Sequence, residues 1–339
     1  MKKSLTALAV LGVFAGSAMA ADVTLYGALD TGFEYFHKKT TKFDGSSEKS
    51  DTFDMQTGWD TGNRWGLKGS EDLGNGYKVS FKLESGFNGD DGTMGQGSRL
   101  FGREAGLTLS GPFGSIAFGR FGGISSSAGT YDMLGYVESF DGGDGNVWGF
   151  AASDRYDNMV VYQTPRFAGL QLTAQYSFKT DSKGTNKDDA KGNHYYNGDE
   201  GTSDAQRYAS IGLSGEYGPA SFAVGYELTK YGASAAAGVG RELDKDGQLV
   251  FLGGNYDFEV VQLFVEGQYF KHQTAIAGFG DAFEDNIGDV KGYGLHLGAA
   301  APLGAGTLTA GLYYTDATDE QIEDKDVDFK YYCASARYN

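Results

Sequence analysis

Seven cations in the first half of the chain stand where a strand would line their side chains up. Arg64, Lys68, Lys78 and Lys82 share one parity of two alternating segments, and Arg103, Arg120 and Arg155 lie at or near the ends of the segments that follow. Between the last two runs a stretch of 33 residues, 121–153, with no Lys or Arg and with Asp132, Glu138, Asp141 and Asp144. Guanidinium, ammonium and carboxylate groups fixed in place hold an electric field in water and bias which ions pass. They make and break no bonds without a nucleophile and base, and no Ser–His pairing stands out. Of the four histidines, His37, His194 and His272 sit in or beside loops and His296 on a strand; none has the neighbours of a metal site or a general base. Residues 141–146 (DGGDGN) resemble a calcium loop but lack its ligand spacing and terminal Glu, so they read as a flexible turn. Cys333 is the one cysteine, which excludes an intramolecular disulfide and a multi-cysteine zinc site. The expectation is no enzyme, no metal and no cofactor.

The elements that carry these charges alternate with period two. Within 63–87, Tyr77, Val79, Phe81 and Leu83 face one way and Lys78, Ser80, Lys82 and Glu84 the other. Before the turn, Trp65 and Leu67 oppose Arg64 and Lys68, and Asn75-Gly76 supplies the turn chemistry. Much of the chain repeats this unit. Strands are expected at 23–36, 101–110, 115–120, 155–163, 170–177, on both sides of Gly218-Pro219, at 248–257, 260–271, 290–301, 307–315 and from 327 to the end. Residues 37–61 read as an exposed polar loop. Connections alternate between short turns near 74, 112, 166, 218, 258 and 303 and longer polar segments near 40, 92, 190, 238, 280 and 320. That rhythm, with tyrosines at strand ends, is the layout of an outer-membrane β-barrel. The expected fold class is all-β, a transmembrane antiparallel barrel, with about fourteen recognisable strands. A soluble sandwich also alternates, but lacks the short-and-long rhythm.

Residues 1–20 read as a secretory signal: Lys2 and Lys3, an uncharged apolar run, and Ala18-Met19-Ala20 before the cleavage point. The run is too short to span a bilayer as a helix. Net charge is −17, which argues against nucleic acid as a partner. There are 54 Gly, 22 Tyr and 23 Phe but only 4 Pro, a composition of many strands and tight turns rather than of disorder.

At four runs the chain resembles the general porins of Gram-negative bacteria, the sixteen-stranded trimeric type. The runs are 22–27 (DVTLYG), 65–76 (WGLKGSEDLGNG), 114–120 (GSIAFGR) and 162–170 (YQTPRFAGL), of which the second and fourth are the specific ones. The resemblance implies a water-filled channel in the outer membrane, a homotrimer, through which ions and small hydrophilic solutes diffuse passively. It implies that 121–153 folds into the barrel and narrows the pore, opposite a ladder of basic wall residues. Arg64, Arg103 and Arg155 match that ladder by position. Parity turns Arg64, Arg155, Lys68, Lys78 and Lys82 to the lumen. Simple alternation from Leu107 and Leu109 turns Arg103 outward unless Gly102 or Gly106 marks a bulge, and Arg120 ends its strand at the loop and could turn inward. The sign of the ion preference stays open, because wall cations favour anions and loop carboxylates favour cations. A ligand-specific channel, a surface adhesin on the same scaffold, or a barrel hydrolase are the alternatives. Family members end on a strand with a terminal aromatic, whereas this chain stops at Ala336-Arg337-Tyr338-Asn339. It is therefore expected to be incomplete at its C-terminus, by one Phe or by about two strands.

Overall fold

A strand with lipid on one face and water on the other has no core of its own, so its backbone must be satisfied by its neighbours. The computed structural model describes residues 22–41, 46–58, 60–127, 129–140, 151–182, 200–203, 205–231, 245–273, 289–320 and 327–339. The signal segment 1–20 and the loop residues Asp141 and Asp144 lie outside them. The strands are β1 (Asp22–Ala28), β2 (Thr31–Thr41), β3 (Ser47–Thr57), β4 (Arg64–Gly74), β5 (Tyr77–Gly86), β6 (Glu104–Gly111), β7 (Gly114–Gly122) and β8 (Arg155–Gln163). There follow β9 (Leu170–Ser177), β10 (Arg207–Tyr217), β11 (Ala220–Lys230), β12 (Gly247–Asp257), β13 (Gln262–Gln273), β14 (Val290–Leu303), β15 (Gly306–Asp319) and β16 (Val327–Tyr338). Fourteen of them form one antiparallel sheet in chain order, β1 beside β4 and then through to β16, while β2 and β3 pair only with each other. Among the described residues, β1 and β16 are each paired on one side, and Arg337 near the end of β16 forms an ion pair with Asp60 just before β4.

The two faces of this sheet invert the usual order of a soluble protein. Leu25, Leu107, Phe118, Leu252, Leu295 and Leu312 are all more than half exposed, whereas Glu84, Glu104, Gln175, Glu227, Glu266, Gln268 and His296 are buried. Apolar groups outside and polar groups within are stable only where the outside is lipid. No described helix is long and apolar enough to cross a membrane. At the β4–β5 turn Asn75 and Gly76 both take positive φ, 54° and 80°, the backbone that the right-handed strand twist requires of a tight hairpin.

The first long strand expected, 23–36, is in fact broken. Asp30 stops it: its N–H donates to Asn63 Oδ1 (2.5 Å) and its carboxylate accepts from the Asp60 and Thr61 N–H groups (2.8 and 3.0 Å). Beyond the break, the segment 37–61 expected to be a loop contributes to a hairpin, β2–β3, with Phe33 opposite Met55 and Tyr35 opposite Phe53. Its outer half carries polar residues on both faces, so hydropathy has no period there. Asp51 accepts from His37 Nδ1 (2.6 Å) and Tyr35 OH (2.7 Å), which hold its carboxyl below the usual range.

Leu107→Arg puts a charge in lipid and should cost about 2–4 kcal/mol in urea titrations of the protein folded into vesicles. Ser80→Arg, on the opposite face, should cost much less because its charge stays in water.

Candidate functional site

The segment after β7 leaves the sheet and crosses the interior. Its neck is closed by a serine pair: Ser125 Oγ and Ser153 Oγ lie 3.2 Å apart, and Ser153 N–H donates to Ser125 Oγ at 3.0 Å. Both residues hang on one buried carboxylate of β11. Glu227 Oε1 accepts from Ser125 N–H (3.0 Å) and Ser153 Oγ (3.2 Å). The returning arm docks on β13, where Gln268 exchanges two hydrogen bonds with the Ala151 backbone (2.7 and 2.9 Å). Farther out, Ser139 N–H donates to His296 Nε2 on β14 (3.1 Å), and Asn255 on β12 donates to the Tyr136 carbonyl (2.9 Å). Ile124, Met133, Leu134, Val137 and Phe140 bury against Ala223, Phe251 and Tyr313. The loop residues thus lie on the β11–β15 wall, and that wall's inward polar groups become its anchors.

On the β1–β8 side the loop touches down at fewer places. Thr130 Oγ1 donates to Glu104 Oε1 (2.6 Å), and Tyr131 packs edge-on against Phe121 at 5.3 Å. Burial pushes the Tyr131 hydroxyl up to about 12, so it stays neutral. Bare Gly106 leaves room on β6 for the Phe121 ring, which is 2 % exposed.

The cations of that side fall into two groups. Lys82 is held by Glu104 (2.8 Å) and Glu84 (3.6 Å), and Arg103 Nε donates to Glu84 Oε1 (2.7 Å). Arg120 Nε donates to the Gly102 carbonyl (2.8 Å) and its Nη1 pairs with Asp157 (2.6 Å). Arg64 and Lys68 have no carboxylate partner among the described residues; Lys68 is exposed and lies 5.3 Å from the Tyr26 ring centre. Arg155 is close enough to feel Arg103 and Arg120, and its buried Nε has no hydrogen-bond partner among the described residues. Arg120 and Arg155 line a cavity of about 640 Å³ with Arg99, Asp154, Tyr156 and Asp181.

The geometry sorts the residues singled out in the sequence. Arg103 faces inward without a bulge in the β5–β6 ladder, whose register is unbroken from Lys78 to Glu84. It precedes β6 in a bend, and its own N–H donates to the Glu84 carbonyl (3.1 Å), which re-aims the side chain. Arg120 is turned in where the β7–β8 register slips between Gly119 and Phe121. Lys78, at the far end of β5, lies opposite Asp72 and Ser110. Asp132 caps the loop's own turn, accepting from the Ser127 and Leu134 N–H groups (3.1 and 3.3 Å). Glu138 is 2 % exposed and sits against Glu266, on the wall away from the arginines. Arg99 and Asp157, like the loop anchor Glu227, are among the residues not singled out in the sequence. Arg99 pairs with Asp157 (3.1 Å) and with Asp181, and Asp157 holds both Arg99 and Arg120. Asp157 has the same parity as Arg155, a signal present in the sequence; Arg99 lies in a stretch without period.

A sheet with lipid outside, water and charge inside, and a loop laid across the passage defines a transmembrane β-barrel channel. The family description "Gram-negative porin" matches residues 6–339. An outer membrane porin protein of Bordetella pertussis is 40% identical over 276 residues, 78% of this chain and 68% of that relative. Outer membrane porin protein 32 of Delftia acidovorans is 33% identical over 312 residues, 90% of this chain and 77% of its own. Among solved structures, the anion-selective porin from Comamonas acidovorans superposes with a TM-score of 0.63 at 26% identity, covering 94% of this chain and 83% of that one. Salmonella typhi OmpF shares the fold, with a TM-score of 0.59 at 20% identity, 93% of this chain and 85% of its own. The chain belongs to the Gram-negative porin family: it forms an outer-membrane channel for passive diffusion of ions and small hydrophilic solutes.

Because Asp157 compensates two guanidinium groups, Asp157→Asn should move the reversal potential in a salt gradient toward anions, raising the Cl⁻/K⁺ permeability ratio by roughly a factor of two to five. An unchanged potential would place Arg99 and Arg120 outside the ion path.

Proposed function

We propose that the narrowest part of this porin lies between the loop 121–153 and the β1–β8 side, and that it prefers anions. Its lining is Arg64, Lys68, Lys82, Arg103, Arg120 and Arg155, faced by the loop that carries Asp132, Glu138, Asp141 and Asp144. One observation carries the sign. Arg64 and Lys68 have no carboxylate partner among the described residues, while Glu138, Glu227 and Glu266 are buried under or behind the loop. An ion in the passage meets uncompensated positive charge first. The net charge of −17 does not reverse this. The Debye length is about 8 Å at physiological salt, so acids in the outer loops are screened from the passage and only its own lining counts. The similarity to the anion-selective porin from Comamonas acidovorans supports the same sign.

The functional unit in this reading is a homotrimer embedded in outer-membrane lipid, exported by cleavage after Ala20. The test is the reversal potential across a planar bilayer in a KCl gradient. Wild-type protein should be anion-selective, and Arg64→Gln with Lys68→Gln should lower the Cl⁻/K⁺ ratio by roughly a factor of two to five per charge. Cation selectivity in the wild type, or no change in the double variant, would sink the proposal.

A further inference from the structure

The turn between β8 and β9 is built to hold one side chain. Gly169, at φ 81°, presents its carbonyl to Arg166 Nη1 (2.9 Å) and to the Glu216 N–H of β10 (3.0 Å), and accepts from both. A Cβ at Gly169 would lie 2.6 Å from the Glu216 carbonyl, so the close approach of this turn to β10 requires glycine. Arg166 Nη2 donates to Gln171 Oε1 (3.2 Å) and pairs with Glu216 Oε1 (3.1 Å). The tip of the loop enters this frame: Tyr136 OH donates to Glu216 Oε1 (2.8 Å) and accepts from Arg166 Nη2 (3.2 Å).

The frame lies far from the loop's neck. The loop leaves β7 and rejoins β8 at the long-loop end of the sheet, where Glu227 ties it. Arg166, Glu216 and Asn255, whose side chain holds the Tyr136 carbonyl, all lie in or beside short turns, which is the periplasmic end in barrels of this kind. From Glu227 to Ser221, the ladder partner of Glu216, β11 runs roughly 20 Å. The loop is therefore tied at two depths, and the lower tie hangs on Tyr136. Leu134 and Val137 beside it are buried against the β11–β15 wall, so the tip lies on the side away from the proposed passage. A released tip has only that passage to move into. An exposed ion pair by itself contributes little, and the Arg166 and Glu216 side chains are 29% and 48% exposed. Here the guanidinium is already fixed by the Gly169 carbonyl and Gln171, so little side-chain freedom remains to be lost when it meets Tyr136.

We infer that Arg166 and Glu216 are positioning residues for diffusion: they clamp the Tyr136 hydroxyl at the periplasmic rim and keep the tip of the loop out of the passage. This rests on the reading that the passage lies between the loop and the β1–β8 side. It gives the sequence run 162–170 a part in transport besides joining two strands.

Single-channel recordings of the full-length protein in planar bilayers test this. Tyr136→Phe removes the hydroxyl without changing charge. Its main open level and reversal potential should equal those of the wild type, while the fraction of time spent in brief partial closures rises roughly twofold to tenfold, as the loss of one hydrogen bond implies. Glu216→Ala should close as often or more, and the Tyr136→Phe, Glu216→Ala double variant no more than Glu216→Ala alone. Glu216→Gln, whose amide oxygen still accepts from Tyr136, should stay close to wild type. Hydrogen exchange at the Val137 and Glu138 N–H groups, which donate to the Leu134 carbonyl (2.8 and 2.9 Å), should quicken in Tyr136→Phe. Wild-type closures and exchange in Tyr136→Phe overturn the inference, as do effects of the two substitutions that simply add. So does a steady, larger current, which would mean that the tip obstructs the passage where it now sits. The reversal potential of the wild type reads the anion preference separately, so an error in that sign leaves these outcomes intact.

Discussion

The buried carboxylate of Glu227 is the constraint on which the channel's geometry rests. A carboxylate out of water is costly unless donors surround it, and here the donors are supplied by the neck of the loop, Ser125 and Ser153. The wall needs the loop to satisfy its acid, and the loop needs the acid to fix its path. Gln268 and His296 repeat the arrangement farther along. The described residues of the loop, 123–127, 129–140 and 151–153, are thereby tied to the β11–β15 wall, and the proposed passage lies toward the opposite one.

The proposed anion preference rests on that asymmetry. On the loop side Glu227 is taken up in holding the loop neck and Asp132 in capping the loop's own turn. On the other side, Glu84, Glu104 and Asp157 each serve several donors, yet Arg64 and Lys68 have no carboxylate partner among the described residues. The difference between the walls is set by which groups find partners, not by how many of each sign the chain contains. A chain of formal charge −17 can therefore present a positive passage.

The alternation of 63–87 made the strand type, the lipid face and the inward parity of Arg64, Lys68 and Lys82 readable, because period two is a direct consequence of strand geometry. The short-and-long rhythm made the two ends of the sheet readable, and the count of about fourteen matches the strands of the main sheet. Parity failed where the chain leaves the ladder. Arg103 turns inward in a bend that precedes its strand, and no pattern of residue types encodes a bend of that kind. The hairpin 31–57 was hidden because its outer half is polar on both faces and gives no hydropathic period. Glu138 shows a further limit. Its charge was visible, but which wall it meets depends on contacts over a hundred residues away in the chain. Asp157 had the right parity, and its double hold on Arg99 and Arg120 arises only once β8 lies beside the bend before β6.

Single-channel conductance in planar bilayers reads directly whether Glu227 holds the loop in place. Glu227→Ala leaves Ser125 and Ser153 without their acceptor and the loop neck untied. The open-channel current should become larger and noisier, with passage of solutes that the wild type excludes. Glu227→Gln, whose amide oxygen can still accept from Ser125 N–H, should stay close to wild type. A steady, wild-type current from the alanine variant would contradict the claim that this carboxylate holds the loop in place.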